Sequence, residues 1–218
     1  MRKTTVVFDL DGTLLDTLED LADSTNYALA RYGFPTRTLE EVRCFVGNGV
    51  RKLIERALPG GAGNARFEEV LDCFKRYYVG HCKVKTGLYP GIPDLLLKLK
   101  AGGYKVGIVS NKLQGGVDEL YHYYFSDTVQ VAVGERPGVR RKPAPDMVEL
   151  ALHALGARKE EAVYVGDSDV DVATAAAAGL PCISVLWGFR DRDFLLRHGA
   201  ACLVETPMEI LELCRKPW

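Results

Sequence analysis

The sequence lacks a long hydrophobic run. Its apolar stretches are all far shorter than the roughly 20 residues that a membrane-spanning helix needs, so we expect no membrane partner. The chain also has almost no net charge: its formal charge is −1 at pH 7, and no segment is polybasic. Without a basic field, a nucleic-acid partner is not expected. Repeats and low-complexity segments are absent as well, which predicts a folded globular protein of 218 residues.

Paired cysteine motifs are absent too. The sequence has no C-x-x-C pair and no histidine at zinc-site spacing from its scattered cysteines. We interpret these cysteines as reduced thiols, which suits a cytoplasmic location. The chain also has no G-x-S-x-G or H-E-x-x-H motif, so neither a serine-hydrolase elbow nor a zinc protease helix is predicted.

What the sequence does contain is an acidic motif after a buried strand. Residues 6–8 are Val-Val-Phe, without polar alternation, and predict a strand that is covered on both faces. Asp9 and Asp11 are two positions apart, so an extended backbone points both carboxylates the same way at the carboxyl end of the strand. Gly12 permits a sharp turn with its N–H groups towards an anion, and Thr13 adds a hydroxyl. This motif predicts a metal ion and a phosphate.

Purely helical patterns follow this first strand. After a helix that starts at Asp16 or Thr17, three more helical segments are predicted, at 39–46, 50–58 and 65–84. About 70 residues of helix therefore interrupt an α/β pattern that has only begun. We expect an inserted helical domain over residues 16–85 and one α/β domain formed by residues 1–15 and 86–218.

Strands and helices alternate after residue 86. Four further strands are predicted, at 104–109, 129–133, 162–165 and 181–186. With the first strand they predict a Rossmann-like, doubly wound parallel sheet with helices on both faces. Three strands are followed directly by polar clusters, which begin at Asp9, Ser110 and Gly166.

These clusters fit the hydrolysis of a phosphate ester. Asp9 can attack phosphorus, and Asp11 can protonate the leaving alcohol and then deprotonate the attacking water. Ser110 offers a hydroxyl to a phosphate oxygen. Lys142, in the loop before a predicted helix, offers a cation that offsets the charge of the nucleophile and the phosphoryl group.

A metal site is predicted from the second acidic cluster. Asp167 and Asp171 are four residues apart at the start of a helix, so they share one face and could hold Mg²⁺ together with Asp9. An oxygen-only ligand set favours Mg²⁺ over zinc. Asp169 makes this cluster a trio of acids whose mutual repulsion requires a nearby cation.

The segment Asp9-Leu10-Asp11-Gly12-Thr13 resembles the first motif of the haloacid dehalogenase superfamily, in its phosphatase branch. Ser110, Lys142 and Asp167 occur in the order and settings of the other three motifs, so the resemblance covers essentially the whole chain. It implies that Mg²⁺ is held by Asp9, by the backbone carbonyl of Asp11 and by Asp167, with support from Asp171.

The same resemblance implies a phosphate-binding set and a cap. We expect the phosphoryl group to be bound by five residues: Gly12, Thr13, Ser110, Asn111 and Lys142. The helical insertion would be a cap that closes over the site, excludes water and selects the substrate.

The cap contains a glycine-flanked turn, Gly47-Asn48-Gly49, that is similar to a segment of the phosphoglycolate phosphatases. The turn opens a helix and is followed by Arg51, so it could bind a small carboxylate such as that of 2-phosphoglycolate. Pyrophosphate, nucleotides and sugar phosphates remain open as substrates, because a few cap contacts decide specificity. A non-catalytic protein that binds a phosphorylated ligand is the alternative of a different class. The expected partner is a small phosphorylated metabolite, and the expected assembly is a monomer or a homodimer.

Overall fold

The computed structural model describes residues 2–218 and divides into two compact units. One unit comprises Met1–Leu15 and Leu88–Trp218, and the other is Asp16–Gly87. The strands, in chain order, are β1 (Thr5–Phe8), β2 (Leu15–Asp16), β3 (Gly87–Leu88), β4 (Lys105–Leu113), β5 (Val131–Glu135), β6 (Ala162–Gly166), β7 (Cys182–Val185) and β8 (Leu203–Val204). The boundaries between the units fall within β2 and β3, which form a sheet of their own.

The other six strands form one parallel sheet in the order β5-β4-β1-β6-β7-β8. The chain starts at β1 in the middle, extends the sheet through β4 and β5 on one side, and then returns to add β6, β7 and β8 on the other. Open α/β sheets bind ligands where the strand order reverses in this way, at the carboxyl ends of the strands. Here that position lies at the ends of β4, β1 and β6.

Helices cover both faces of the sheet. In the α/β unit they are α5 (Ile92–Ala101), α6 (Gln114–Tyr124), α7 (Asp146–Ala154), α8 (Asp169–Ala178), α9 (Arg192–Arg197) and α10 (Pro207–Arg215). In β1 the side chains of Val6 and Phe8 belong to one apolar cluster, with Leu95 and Ile210, whereas Val7 belongs to a second cluster on the opposite face. Since both faces are buried, the strand carries no polar alternation. The predicted doubly wound α/β class is confirmed.

The helical unit contains four α-helices: α1 (Leu18–Arg31), α2 (Leu39–Phe45), α3 (Gly49–Ala57) and α4 (Phe67–His81). They agree with the predicted segments to within a few residues. The start of α2 is fixed by a capping box, in which the Thr38 hydroxyl accepts from the Glu41 N–H at 3.2 Å and the Glu41 carboxylate accepts from the Thr38 N–H at 2.8 Å. The interpretation of this unit as a cap remains a prediction.

Two details of the predicted sheet were wrong. The sheet has a sixth strand, β8, which escaped prediction because it is only two residues long and is preceded by the short helix α9. The strand predicted to end at Val109 instead runs on to Leu113, with a shift of its pairing to β5 between these two residues. Ser110 therefore lies within β4, in its irregular part, rather than after it.

Among residues 2–218, no helix is both long and apolar enough to cross a bilayer. All six cysteines are free thiols: Cys44, Cys73, Cys82, Cys182, Cys202 and Cys214.

Candidate active site

Three neighbouring strands carry the predicted catalytic residues to one edge of the sheet. Asp9 directly follows β1, Ser110 lies near the end of β4, and Asp167 directly follows β6. The backbone N–H of Asp9 still donates to the carbonyl of Val165 on β6, at 2.8 Å, so the sheet ladder fixes its position. The site is thus built on adjacent strands in the middle of the sheet.

Lys142 is the central cation of this site. Its buried Nζ lies 2.7 Å from Asp9 Oδ1 and 2.8 Å from Asp171 Oδ1, and it donates to the Tyr164 hydroxyl at 3.2 Å. Burial alone would lower the pKa of Lys142, but the carboxylates of Asp171 and Asp9 raise it above its ordinary value. Lys142 is therefore charged, and it fixes the orientation of the Asp9 carboxylate.

Asn111 holds the backbone of Lys142. Its side-chain amide donates to the Lys142 carbonyl at 3.2 Å, and its side-chain carbonyl accepts from the Lys142 N–H at 2.9 Å. The peptide bond that follows, between Lys142 and Pro143, is cis. Asn111 was expected to bind the phosphoryl group. In the structure its side chain makes these two hydrogen bonds with the loop that presents the lysine.

Asp171 is fully buried, and donors occupy both of its carboxylate oxygens. Oδ1 accepts from Lys142 Nζ and from the Tyr164 hydroxyl, at 2.8 and 3.1 Å. Oδ2 accepts from the Ser168 N–H and hydroxyl, at 3.1 and 2.6 Å, in the capping box that starts α8. With four donors already bound, Asp171 holds Lys142 in place, and it would have to exchange one of these donors to ligate a metal directly.

Asp167 is held by two other segments of the chain. Its Oδ2 accepts from the backbone N–H of Phe189 at 2.8 Å, and its Oδ1 accepts from the Thr13 hydroxyl at 3.3 Å. Burial and the nearby charge of Asp171 raise the pKa of Asp167 to about 7. The hydroxyl of Thr13, predicted as a phosphate donor, is fully buried and donates to this carboxylate.

Two glycines leave the space that Asp167 needs. A Cβ on Gly12, where φ is +88°, would lie 2.4 Å from Asp167 Oδ2, and a Cβ on Gly188 would lie 2.3 Å from Asp167 Cβ. Gly12 is therefore required both for its left-handed turn and for this close approach. Next to Gly188, Trp187 donates from Nε1 to the carbonyl of Thr13 at 3.0 Å, which ties the loop after β7 to the first motif.

Asp11 pairs with a lysine that the sequence had not singled out. Its Oδ1 lies 2.8 Å from Lys112 Nζ, and its Oδ2 accepts from the Ser110 hydroxyl at 3.4 Å. Lys112 is almost fully buried, and its N–H donates to the Ser110 oxygen at 3.1 Å. The structure thus brings the side chains of Asp11 and Ser110 into contact at the carboxyl ends of β1 and β4.

A metal ion fits a group of three carboxylates at this edge. Asp9, Asp167 and Asp171 each offer an oxygen, and these atoms lie within 4.8 Å of one another. With the lysine included, the ionised group keeps two negative charges, which a divalent cation would neutralise. Burial and the charge of Asp171 raise the pKa of Asp9 well above its ordinary value, despite the opposing effect of Lys142. The three acids that lie together are therefore Asp9, Asp167 and Asp171. Asp169 and the side chain of Asp11 lie outside this group.

The predicted cap residues lie in the helical unit, around the turn before α3. Gly47 and Gly49 both have positive φ, at 112° and 79°, and flank Asn48. The Asn48 side-chain carbonyl accepts from Arg56 at 2.8 Å, so this arginine braces the turn. Arg51 forms an ion pair with Glu68 and lies over the ring of Phe67. Arg51 would have to exchange this partner to bind a substrate anion.

The sequence did not reveal the residues that contact the predicted site residues and hold them in place. They are Lys112, Tyr164, Trp187 and Phe189. Tyr164 alternates to the opposite face of β6 from Val163 and Val165 and packs with Met147 of α7. In the sequence it looks like a core residue of a buried strand. The only available signal was a hydroxyl group in an otherwise apolar run.

The chain is similar in sequence to known proteins over most of its length. The family model for haloacid dehalogenase-like hydrolases matches residues 6–185. A phosphoglycolate phosphatase of Yersinia pestis is 36% identical over 210 residues, which are 94% of this chain and 90% of that protein. Phosphoglycolate phosphatase 1 of Pseudomonas aeruginosa is 32% identical over 216 residues, which are 96% of this chain and 76% of that protein.

The fold also matches that of a solved structure. The crystal structure of a candidate phosphoglycolate phosphatase from Lactobacillus delbrueckii subsp. bulgaricus superimposes with a TM-score of 0.94 and 37% identity, covering 100% of both chains. A doubly wound parallel sheet with buried acids at the carboxyl ends of its central strands is typical of a hydrolase that uses a carboxylate site. The chain belongs to the haloacid dehalogenase-like hydrolase family. Within this family it is a phosphoric monoester hydrolase similar to the phosphoglycolate phosphatases.

Tyr164→Phe tests whether the buried hydroxyl positions Lys142. The variant keeps the ring in the core but removes one donor to Asp171 and one acceptor for Lys142. We expect kcat to fall by about tenfold, since the loss of a hydrogen bond to a charged group costs roughly 1.5–3 kcal/mol, with KM nearly unchanged. Steady-state kinetics on an aryl phosphate measures both.

Tyr104→Phe is the matched control, because that hydroxyl only accepts from Arg2 at 3.4 Å. A Tyr164→Phe variant with the kcat of this control would show that the hydroxyl has no positioning role.

Proposed function

We propose that the protein is a Mg²⁺-dependent phosphatase of small phosphate monoesters and that 2-phosphoglycolate is its substrate. The observation that carries the catalytic part is the Asp9 carboxylate, which the sheet and Lys142 hold beside two further buried acids. The phosphoglycolate part is supported by the names of the relatives and by the glycine turn of the helical unit.

In this proposal the reaction proceeds in two displacements. A carboxylate oxygen of Asp9 attacks phosphorus, the ester P–O bond breaks, and the leaving alkoxide takes a proton from Asp11. Asp11 then removes a proton from water, whose oxygen attacks the phosphorus of the aspartyl-phosphate. Inorganic phosphate leaves and the Asp9 carboxylate is restored. Splitting the hydrolysis in this way avoids one difficult direct attack of water.

The surrounding residues supply charge and orientation. Lys142 would offset the negative charge of the phosphoryl oxygens, and the Ser110 hydroxyl and the Gly12 turn would donate hydrogen bonds to them. Asp9, Asp167 and the carbonyl of Asp11 would hold Mg²⁺, which when bound neutralises charge between the carboxylates and the phosphate. Asp171 would act through Lys142.

We assign the helical unit as the cap that selects the substrate. Its residues Gly47, Asn48, Gly49 and Arg51 are the candidates for binding the carboxylate of 2-phosphoglycolate. The free cysteines fit our further proposal that the protein works in the reducing cytoplasm.

The decisive experiment is a comparison of kcat/KM across substrates. The panel contains 2-phosphoglycolate, pyrophosphate, a nucleoside monophosphate, a sugar phosphate and an aryl phosphate, each with Mg²⁺ and with a chelator. We expect 2-phosphoglycolate to exceed the others by about tenfold or more, because one matched charge contact is worth roughly 1.5–3 kcal/mol. Removal of Mg²⁺ should abolish turnover of every substrate.

The possible results separate the two parts of the proposal. Equal kcat/KM values across the panel, or preference for another substrate, would refute the assignment to 2-phosphoglycolate but leave the phosphatase chemistry intact. Full turnover in the chelator would refute the metal assignment. No turnover of any substrate would favour a non-catalytic protein that binds phosphorylated ligands.

A further inference from the structure

A cleft on the helical unit has no role in the proposed reaction. It has a volume of about 550 Å³ and lies between the end of α1 and one face of α4. Six of its lining residues carry the argument: Tyr27, Arg31, Arg66, Arg76, Tyr77 and His81. All belong to Asp16–Gly87, and none belongs to the site built on the sheet. Its volume is within the range of cavities that bind small molecules.

A stack of aromatic rings forms one wall of this cleft. Tyr27 and Tyr77 stack with their ring centroids 3.8 Å apart and an interplanar angle of 16°. Tyr77 in turn stacks on His81, at 3.8 Å and 5°. Tyr27 is 44% exposed, so the stack ends in a ring that is open to solvent. A planar aromatic ligand could extend the stack there.

The arginines of the cleft differ in their ion pairing from the other basic residues of the helical unit that the structure describes. Elsewhere in the helical unit, basic side chains typically pair with acids, as Arg37 does with Glu41 and Lys75 with Asp72. In contrast, Arg31, Arg66 and Arg76 make no ion pair with a carboxylate in the part of the chain that the structure describes.

Arg66 instead lies over the ring of Tyr32, with its guanidinium carbon 5.7 Å from the centroid. Like charges that line one cleft repel one another, and a bound anion relieves that repulsion.

We propose that this cleft binds a nucleoside phosphate. Arginines that line the cleft, with Arg31 and Arg76 as the candidates tested below, would bind the phosphate, for which arginine is well suited through paired N–H donors. The base would stack on Tyr27. A simple anion would gain nothing from the aromatic wall, and an uncharged base would gain nothing from the arginines, so a ligand with both groups fits best. The proposal does not depend on the substrate of the phosphatase site.

Calorimetric titration of AMP into the full chain tests the proposal. Chelator is present to prevent turnover, and adenosine and inorganic phosphate serve as partial ligands. We expect AMP to bind more tightly than either fragment. Arg31→Gln/Arg76→Gln should weaken AMP binding by about tenfold or more, since each lost charge-assisted contact reduces affinity by about that factor. Tyr27→Ala should weaken the binding of AMP but not that of phosphate.

The control variant Lys75→Gln/Lys100→Gln removes the same charge outside the cleft and should leave AMP affinity unchanged. Hydrolysis of an aryl phosphate should be unchanged in both double variants, which shows that they are folded. The proposal is overturned if AMP does not bind, or if it binds the wild type and Arg31→Gln/Arg76→Gln equally. It is also overturned if phosphate alone binds as tightly as AMP, or if a single-stranded oligonucleotide binds far more tightly.

Discussion

Asp9→Asn is expected to lower kcat by a factor of about 10⁴ or more, because an amide cannot replace the carboxylate nucleophile. The substitution keeps the size and shape of the side chain, and the N–H of Asp9 still pairs with Val165 on the neighbouring strand. The fold should therefore survive. Steady-state hydrolysis of an aryl phosphate with saturating Mg²⁺ measures the loss.

The same variant should be more stable than the wild type when Mg²⁺ is absent and the pH is high. A carboxyl group whose folded-state pKa is raised contributes its full stability below the unfolded pKa, and this contribution is lost as the pH rises through the folded pKa. Burial raises the pKa of Asp9, so its ionised form weakens the metal-free fold. Thermal unfolding of both proteins at pH 5 and pH 8 should show a stability gain for the variant at pH 8.

Asp169→Asn is the matched control, since Asp169 lies in the second acidic cluster but not among the three grouped carboxylates. It should keep most of the turnover and show no such gain. Wild-type kcat in Asp9→Asn would remove Asp9 as the nucleophile.

The fold was predictable because its signals are local. Val6, Val7 and Phe8 are apolar without alternation since both faces of β1 are covered, and the helical unit shows helix spacing throughout. The end of β4 was not predictable, because Ser110, Asn111 and Lys112 look like a polar loop. They continue the strand only because β5 lies beside it with a shifted register. β8 consists of two residues and carries no pattern of its own.

The members of the site were predictable, but their partners were not. Asp9, Lys142 and Asp167 are marked by residue type and by position at strand or helix ends. That Thr13 faces Asp167 and that Asn111 faces the backbone of Lys142 depends on contacts between segments far apart in the chain. Residue type alone gives a hydroxyl or an amide and does not say whether it faces a ligand or another side chain.

Lys142→Met should abolish turnover and destabilise the protein by about 3–5 kcal/mol at pH 8, the usual cost of leaving a buried charge without its partner. Lys142 is the cation that contacts both Asp9 and Asp171. Methionine fills nearly the same space, so the loss reports charge rather than packing. Chemical denaturation in the absence of Mg²⁺ gives the free energy of unfolding.

The pH dependence of the free energy of unfolding distinguishes uncompensated charge from a general packing defect. Asp167 has a pKa of about 7, and the pKa of Asp9 is also raised. As the pH falls below 7 these acids take up protons, the uncompensated charge decreases, and the variant should regain stability relative to the wild type. Mg²⁺ should restore part of the stability at pH 8.

Lys105→Met is the control, because its exposed ammonium only donates to the carbonyl of Gly156. This variant should show neither the pH effect nor the Mg²⁺ effect. A Lys142→Met deficit that is the same at pH 5 and pH 8 would mean that the lysine does not serve to balance the three acids.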